Sequence, residues 1–146
     1  MKPAACLALL LAIVALPVRA GLEFRSVGEM PAVLYDGPSL KANKVFVASR
    51  GSPVEVVSSL EGWVKVRESG GQLAWVEAKV LVAKRTVSVS VPQVTVHTAP
   101  SETAPPAFNA QQGVILELIE ASGTWAHVKH RDGLTGYVRA NQVWGL

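Results

Sequence analysis

The side chains able to do chemistry are few, and their spacing limits what they can do. Three histidines, His97, His127 and His130, fall close together in the second half of the chain. Side chains on a strand alternate between faces, so His127 and His130, three residues apart, point to opposite sides. Clasping one metal from a strand needs an even spacing, and no zinc site is expected. No Ser-His-Asp arrangement and no glycine-rich phosphate loop can be picked out. The carboxylates of Glu61, Glu68, Glu117 and Glu120 read as solvated groups near turns. No catalytic residue, metal ligand or cofactor is expected, and the chain is not read as an enzyme.

The aromatic residues are more informative. In "GWVKVRE" the valines Val64 and Val66 share one face, which sends Trp63, Lys65 and Arg67 to the other. The same count on "GTWAHVKH" sends Trp125, His127 and Lys129 outward, on "QLAWVEA" it exposes Trp75, and on "LTGYVRA" it exposes Tyr137. Tyr35 and His97 stand where they can join these pairs. The candidate ligand-binding residues are therefore Tyr35, Trp63 and Trp75 in the first half, and His97, Trp125 and Tyr137 in the second. Such rings serve equally as packing, over a neighbouring turn or in a seam between units. Trp144, in the final "VWGL", reads as a plug closing the second unit.

The elements that position these rings follow an export leader. Lys2 precedes an apolar run from Ala4 to Leu16, Pro17 ends it, and Val18-Arg19-Ala20 offers the small residues of a cleavage site. The run of thirteen residues is short of the roughly 20 that a spanning helix needs. Residues 1–20 are read as a signal peptide, with the mature chain exported to the periplasm or cell envelope and without a stable membrane span. The single cysteine, Cys6, lies early in this leader and is misplaced for a lipid anchor, so the mature chain carries no thiol. The leader also holds two of the fourteen basic residues and none of the eleven acidic ones, leaving 12 − 11 = +1. No basic stripe is present, and nucleic acid is not an expected partner.

The mature sequence matches itself without a gap at an offset of 62 residues. Pro38-Ser39 falls on Pro100-Ser101, Gly51 on Gly113, Trp63 on Trp125, Val66 on Val128, Gly71 on Gly133 and Val76 on Val138. Conservative pairs such as Val57/Ile119, Trp75/Tyr137 and Leu81/Val143 fill the gaps. Two homologous units follow, 21–83 and 84–146. Each reads as short strands rich in Val, Ile, Thr and aromatic residues, with Asp132-Gly133 a hairpin signal. The connection "AKRTVSVSVP" is β-branched rather than Gly/Ser-rich, so Val87, Val89 or Val91 should pair into a sheet and the join should be ordered.

These motifs carry a resemblance. "VTVHTAPSETAPPAFNAQQGVILELIEASGTWAHVKHRDGLTGYVRANQVW" is similar along its length to bacterial SH3-like (SH3b) domains, through a Pro-Ser turn, a Gly before the central strands, Thr-Trp-x-x-Val and Gly-Tyr-Val. The first unit resembles them through "PVEVVSSLEGWVKVRESGGQLAWVEAKVL", with Ala74 in place of the usual Gly. The resemblance implies an all-β fold of two tandem small SH3-like barrels. "AVLYDGPS" also echoes the eukaryotic SH3 groove. There Trp63 and Trp125 match its Trp, but its second Tyr falls on Gly37 and Ala99, its Pro on Glu77 and Arg139, and its last Tyr on Val80 and Gln142. Those residues pack a polyproline helix, so that groove is not retained. Related domains target cell walls, which implies peptidoglycan or an envelope protein as partner. The alternative is a structural scaffold or protein-interaction module that does not bind peptidoglycan.

Overall fold

The computed structural model describes residues 21–146, so the leader lies outside the described residues. The first unit contains β1 (Glu23–Val27), β2 (Ala32–Tyr35), β3 (Lys44–Ala48), β4 (Pro53–Leu60), β5 (Trp63–Arg67), β6 (Leu73–Glu77) and β7 (Leu81–Val82). The second contains β8 (Thr86–Val89), β9 (Gln93–His97), β10 (Pro106–Gln111), β11 (Ile115–Ser122), β12 (Trp125–Lys129), β13 (Thr135–Arg139) and β14 (Val143–Trp144). The strands form two seven-stranded antiparallel sheets of identical topology, β3-β2-β6-β5-β4-β1-β7 and β10-β9-β13-β12-β11-β8-β14. Single 3-10 turns at Ala78–Val80 and Ala140–Gln142 are the only helical elements among the described residues. The fold is all-β, as expected of two tandem small SH3-like barrels.

Alternation builds each core. Val64, Val66, Ala74 and Val76 point inward from β5 and β6 to meet Val27, Leu34 and Val54. In the second unit Ala126, Val128 and Val138 meet Val87, Val89, Val96 and Leu116. Gly133 holds a left-handed φ of 99° in the β12–β13 hairpin, where a side chain would be strained. Two bulges in each unit interrupt the alternation, at repeat-equivalent places. Val57 and Ile119 are extra residues in the β4–β5 and β11–β12 ladders. Val45 and Ala107 are extra opposite Tyr35 and His97. Such bulges bend a strand and re-aim its neighbours.

The join between the units is ordered, as its β-branched composition predicts. Val87 and Val89 lie on β8, which pairs with β11 on one side and β14 on the other; Val91 lies beyond the strand. Buried Thr86 donates to the Gly51 carbonyl at 2.6 Å, and its Oγ1 is 2.8 Å from buried Ser26 Oγ. With the Thr86 proton committed to Gly51, Ser26 must be the donor to Thr86. Arg85 places its guanidinium 5.5 Å from the Phe24 ring and donates from Nη2 to the Gly145 carbonyl at 2.7 Å. Trp144 meets Phe24 edge-on at 5.2 Å, so it is no internal plug of the second unit. β14 sits at the sheet edge, and its ring reaches across to β1 of the first unit.

Thr86 should therefore couple the units. Thr86→Val keeps the shape but leaves the Ser26 hydroxyl and the Gly51 carbonyl without their partner, at a cost of about 1–3 kcal/mol. Urea unfolding of the full protein should show a lower midpoint. An unchanged midpoint would mean the hydroxyl network adds nothing.

Candidate functional site

The ladders bring the six candidate residues together as two groups of three, one on each barrel. On the first, Lys65 of β5 lies opposite Trp75 of β6, and Trp75 lies opposite Tyr35 of β2. One step along the sheet, Trp63 lies opposite Glu77. Residues paired or two apart share a face, so these five side chains form one patch. Tyr35 and Trp63 meet edge to face at 5.5 Å with an interplanar angle of 86°. The Lys65 ammonium stands 5.9 Å from the Trp75 ring centroid.

Tyr35 lies on this outer face but is almost fully covered. It is only 7% exposed, its backbone held between β3 and β6 and its ring against Trp63. Tyr35 is a support beneath the patch, and the half-buried Trp63 and Trp75 form its surface. Neither Trp63 nor Trp125 fills the seam between the units; Phe24 and Trp144 do that.

The second barrel repeats this framework with different chemistry. His127, Tyr137 and His97 form the row that corresponds to Lys65, Trp75 and Tyr35. His127 stacks on Tyr137 at 4.4 Å with the planes 7° apart, and His97 meets Trp125 edge-on at 6.0 Å. A carbonyl can only accept, so the 3.0 Å contact of His97 Nδ1 with the Ala104 oxygen places a proton on Nδ1. Opposite Trp125 stands Arg139, its guanidinium carbon 4.6 Å from the ring centroid. Glu102 closes the arrangement, 2.7 Å from Arg139 Nη2 and 3.0 Å from Nε. Trp125 is thus covered by an internal cation that is itself held by a carboxylate.

Glu102 is the functional residue that sequence reasoning missed. It lies in a turn, 37 residues from its partner. The signal was in the repeat: where the second unit has Glu102 and Arg139, the first has Leu40 and Glu77, so both members of the pair change together.

Outside the two patches, His130 and Asp132 pair in the β12–β13 turn. His130 Nδ1 lies 2.7 Å from Asp132 Oδ1, a contact that requires the proton on Nδ1. That proton assignment is incompatible with the 3.3 Å approach of the Asp132 backbone N–H to the same nitrogen being a hydrogen bond. Chiefly through the His130 bond, and then through the Leu134 backbone N–H, the exposed Asp132 carboxyl is held below its ordinary value. For a depressed carboxylate the sign is fixed. Its stabilising effect is full above the ordinary carboxylate value and disappears as pH falls through the lowered one. Carboxylate-resolved NMR titration should find Asp132 below a typical aspartate, and a normal value would refute the His130 bond in solution. No cluster of three or more metal-ligating side chains occurs among the described residues. No helix among them is long and apolar enough to cross a membrane.

Comparison with known proteins matches this architecture. The family model "Bacterial SH3 domain" matches twice, over residues 28–82 and 90–145. No curated protein matches the chain. Among solved structures, it is similar to NlpC1 from Trichomonas vaginalis, with 14% identity and a TM-score of 0.40, covering 86% of this chain and 46% of that one. NlpC2 from the same organism gives 14% identity and a TM-score of 0.39, covering 86% and 49%. An NlpC/P60 family protein from Bacillus cereus gives 18% identity and a TM-score of 0.38, covering 83% and 55%. The chain spans about half the length of each of these proteins.

Proposed function

Because the chain belongs to the bacterial SH3 domain family, through two copies in tandem, we propose that it is a non-catalytic binding module of the cell envelope that recognises peptidoglycan. Domains of this family are often cell-wall binding modules, and the leader pattern at residues 1–20 fits export to that compartment. The observation that carries the reading is the patch around Trp63. A half-buried indole, held in place by a buried tyrosine, offers a rigid apolar surface with little side-chain entropy left to lose. An isolated surface ion pair is worth about 0–1 kcal/mol and could not anchor a ligand alone. The first barrel is the binding unit, since the corresponding ring of the second is covered by Arg139. That covered ring favours a scaffold role for the second barrel.

Co-sedimentation with purified peptidoglycan, compared with envelope extract, tests the reading. Trp63→Ala should weaken retention by about 30-fold, the scale of an interface hot spot of about 2 kcal/mol. Trp125→Ala should retain most binding, with both variants keeping the wild-type circular dichroism. Retention of both variants at wild-type strength would make the rings packing residues and the protein a scaffold that does not bind through them.

A further inference from the structure

The two barrels act as controls for each other, and they differ at two positions beside the tryptophan: Glu77 against Arg139, and Leu40 against Glu102. We infer that the Trp63 site takes a peptide-borne cation, the free side-chain ammonium of a diamino acid, in the place that Arg139 fills on the second barrel. This rests on the wall-binding reading above and names the group recognised.

Trp125 shows what this scaffold can place on an indole face. On this scaffold the residue opposite the tryptophan can lay a cation on the ring, and Arg139 does so at 4.6 Å. A carboxylate from the neighbouring turn, Glu102, then pairs with that cation through Nη2 and Nε. Ring, cation and carboxylate are all supplied within one barrel. It needs no ligand.

On the first barrel the tryptophan and its edge-on partner are kept, and the cation is not. Trp63 has Tyr35 at 5.5 Å as Trp125 has His97 at 6.0 Å. Opposite Trp63 stands Glu77, and no cation is placed over the Trp63 ring among the described residues. Position 40, the counterpart of Glu102, is the exposed Leu40. The carboxylate has moved from the turn to the strand beside the ring, and the cation is missing. A ring face attracts a cation electrostatically, and a carboxylate beside it adds to that attraction. Among the described residues Glu77 pairs only with Lys79, at 3.4 Å, and the Lys79 side chain is 77% exposed. A pair that open to water is weak and easily exchanged for a ligand ammonium. An anionic group would meet Glu77 and be repelled. A neutral one would leave the carboxylate unused.

The ligand class follows from the peptide that carries the charge. Stem peptides of peptidoglycan contain a diamino acid whose side-chain amine is free wherever no cross-link has formed. The Trp63 site would therefore distinguish uncross-linked from cross-linked wall, because acylation of that amine removes the charge.

The probe is Nα-acetyl-lysine methylamide, titrated into the full protein while the indole N–H signals are followed by NMR, with the Nε-acetylated form as control. The Trp63 signal should move with the free amine and remain still with the acetylated one, while Trp125 remains still with both. Glu77→Gln should weaken the response by about fivefold, as expected for losing one charge partner of a cation–π site. The pair Leu40→Glu and Glu77→Arg rebuilds the second barrel's internal arrangement on the first, and should abolish the response. No movement of Trp63, equal movement with both probes, or indifference to Glu77→Gln would overturn the inference. Untreated and N-acetylated peptidoglycan, sedimented with wild-type protein, separate the two proposals. Equal retention on both overturns the ammonium inference and leaves wall binding intact. Retention on neither, with the lysine probe still active, overturns wall binding alone.

Discussion

Leu116→Ala should destabilise the second barrel by about 2–5 kcal/mol, the range for truncating a leucine in a core that cannot collapse around the cavity. Leu116 is completely buried on β11 and belongs to a cluster otherwise made of Val87, Val89, Val94, Val96, Val128, Val138, Val143 and two alanines. Only this side chain in the cluster's buried set is as large as leucine. The valines around it are stiff at χ1 and cannot swing in to refill the space. A unit of about 60 residues buries a smaller fraction of its surface than a larger domain and has little stability in reserve. The loss is thus a large share of the total. At the corresponding place the first barrel has Val54, where truncation removes less volume and should cost less. Thermal and urea unfolding followed by circular dichroism will measure both. A cost below about 1 kcal/mol for Leu116→Ala would show that the core relaxes in a way this packing does not allow.

Gly136→Ala should disrupt the second barrel where it borders the aromatic patch. A Cβ at Gly136 would lie 2.6 Å from the His97 carbonyl oxygen and 2.7 Å from Val96 Cγ1, with Ala107 Cβ at 3.3 Å. The nearest obstacle is backbone, so no rotamer change relieves it. β9 and β13 must separate, and the pairing of His97 with Tyr137 is what holds them. Overpacking costs about 1–3 kcal/mol, and a clash with main chain belongs at the upper end or beyond. The first barrel carries Ala74 at this position, buried at 3% exposure, so the fold itself accepts a methyl group there when the facing strand is set for it. Ala74→Gly should accordingly be mild, costing about 1 kcal/mol for a glycine within a strand. Calorimetry of the two variants decides the matter. Wild-type stability in Gly136→Ala would mean the strands have slack at this crossing.

The architecture was legible because the repeat tests every inference twice. Trp63 and Trp125, Gly71 and Gly133, and the valines of the central strands all mark the same places in both units. Period-two alternation then assigned Val64 and Val66 to the inward face correctly. It failed where the period itself breaks. Val57 and Ile119 are bulge residues, and the apolar runs around them conceal a change of face. Tyr35 lies on the outer face that alternation gives it, but its burial against Trp63 depends on a neighbouring strand and is not written in its own. Nothing local to Ser26 revealed that it would bond Thr86 across the junction. The same holds for Arg139 and Glu102. Contacts between residues far apart in sequence depend on how the sheets curl, and spacing along one strand contains no record of that.

The central claim is that the first barrel binds the wall through the face of Trp63. A residue-resolved NMR map of the full protein titrated with soluble, enzymatically released wall fragments tests it most directly. Shift changes should cluster at Trp63, Trp75, Glu77 and Lys65, with the Trp125 indole and the Phe24–Trp144 junction unmoved. Changes centred on the junction, on the edge strand β3 or on the second barrel, or no changes at all, would contradict it.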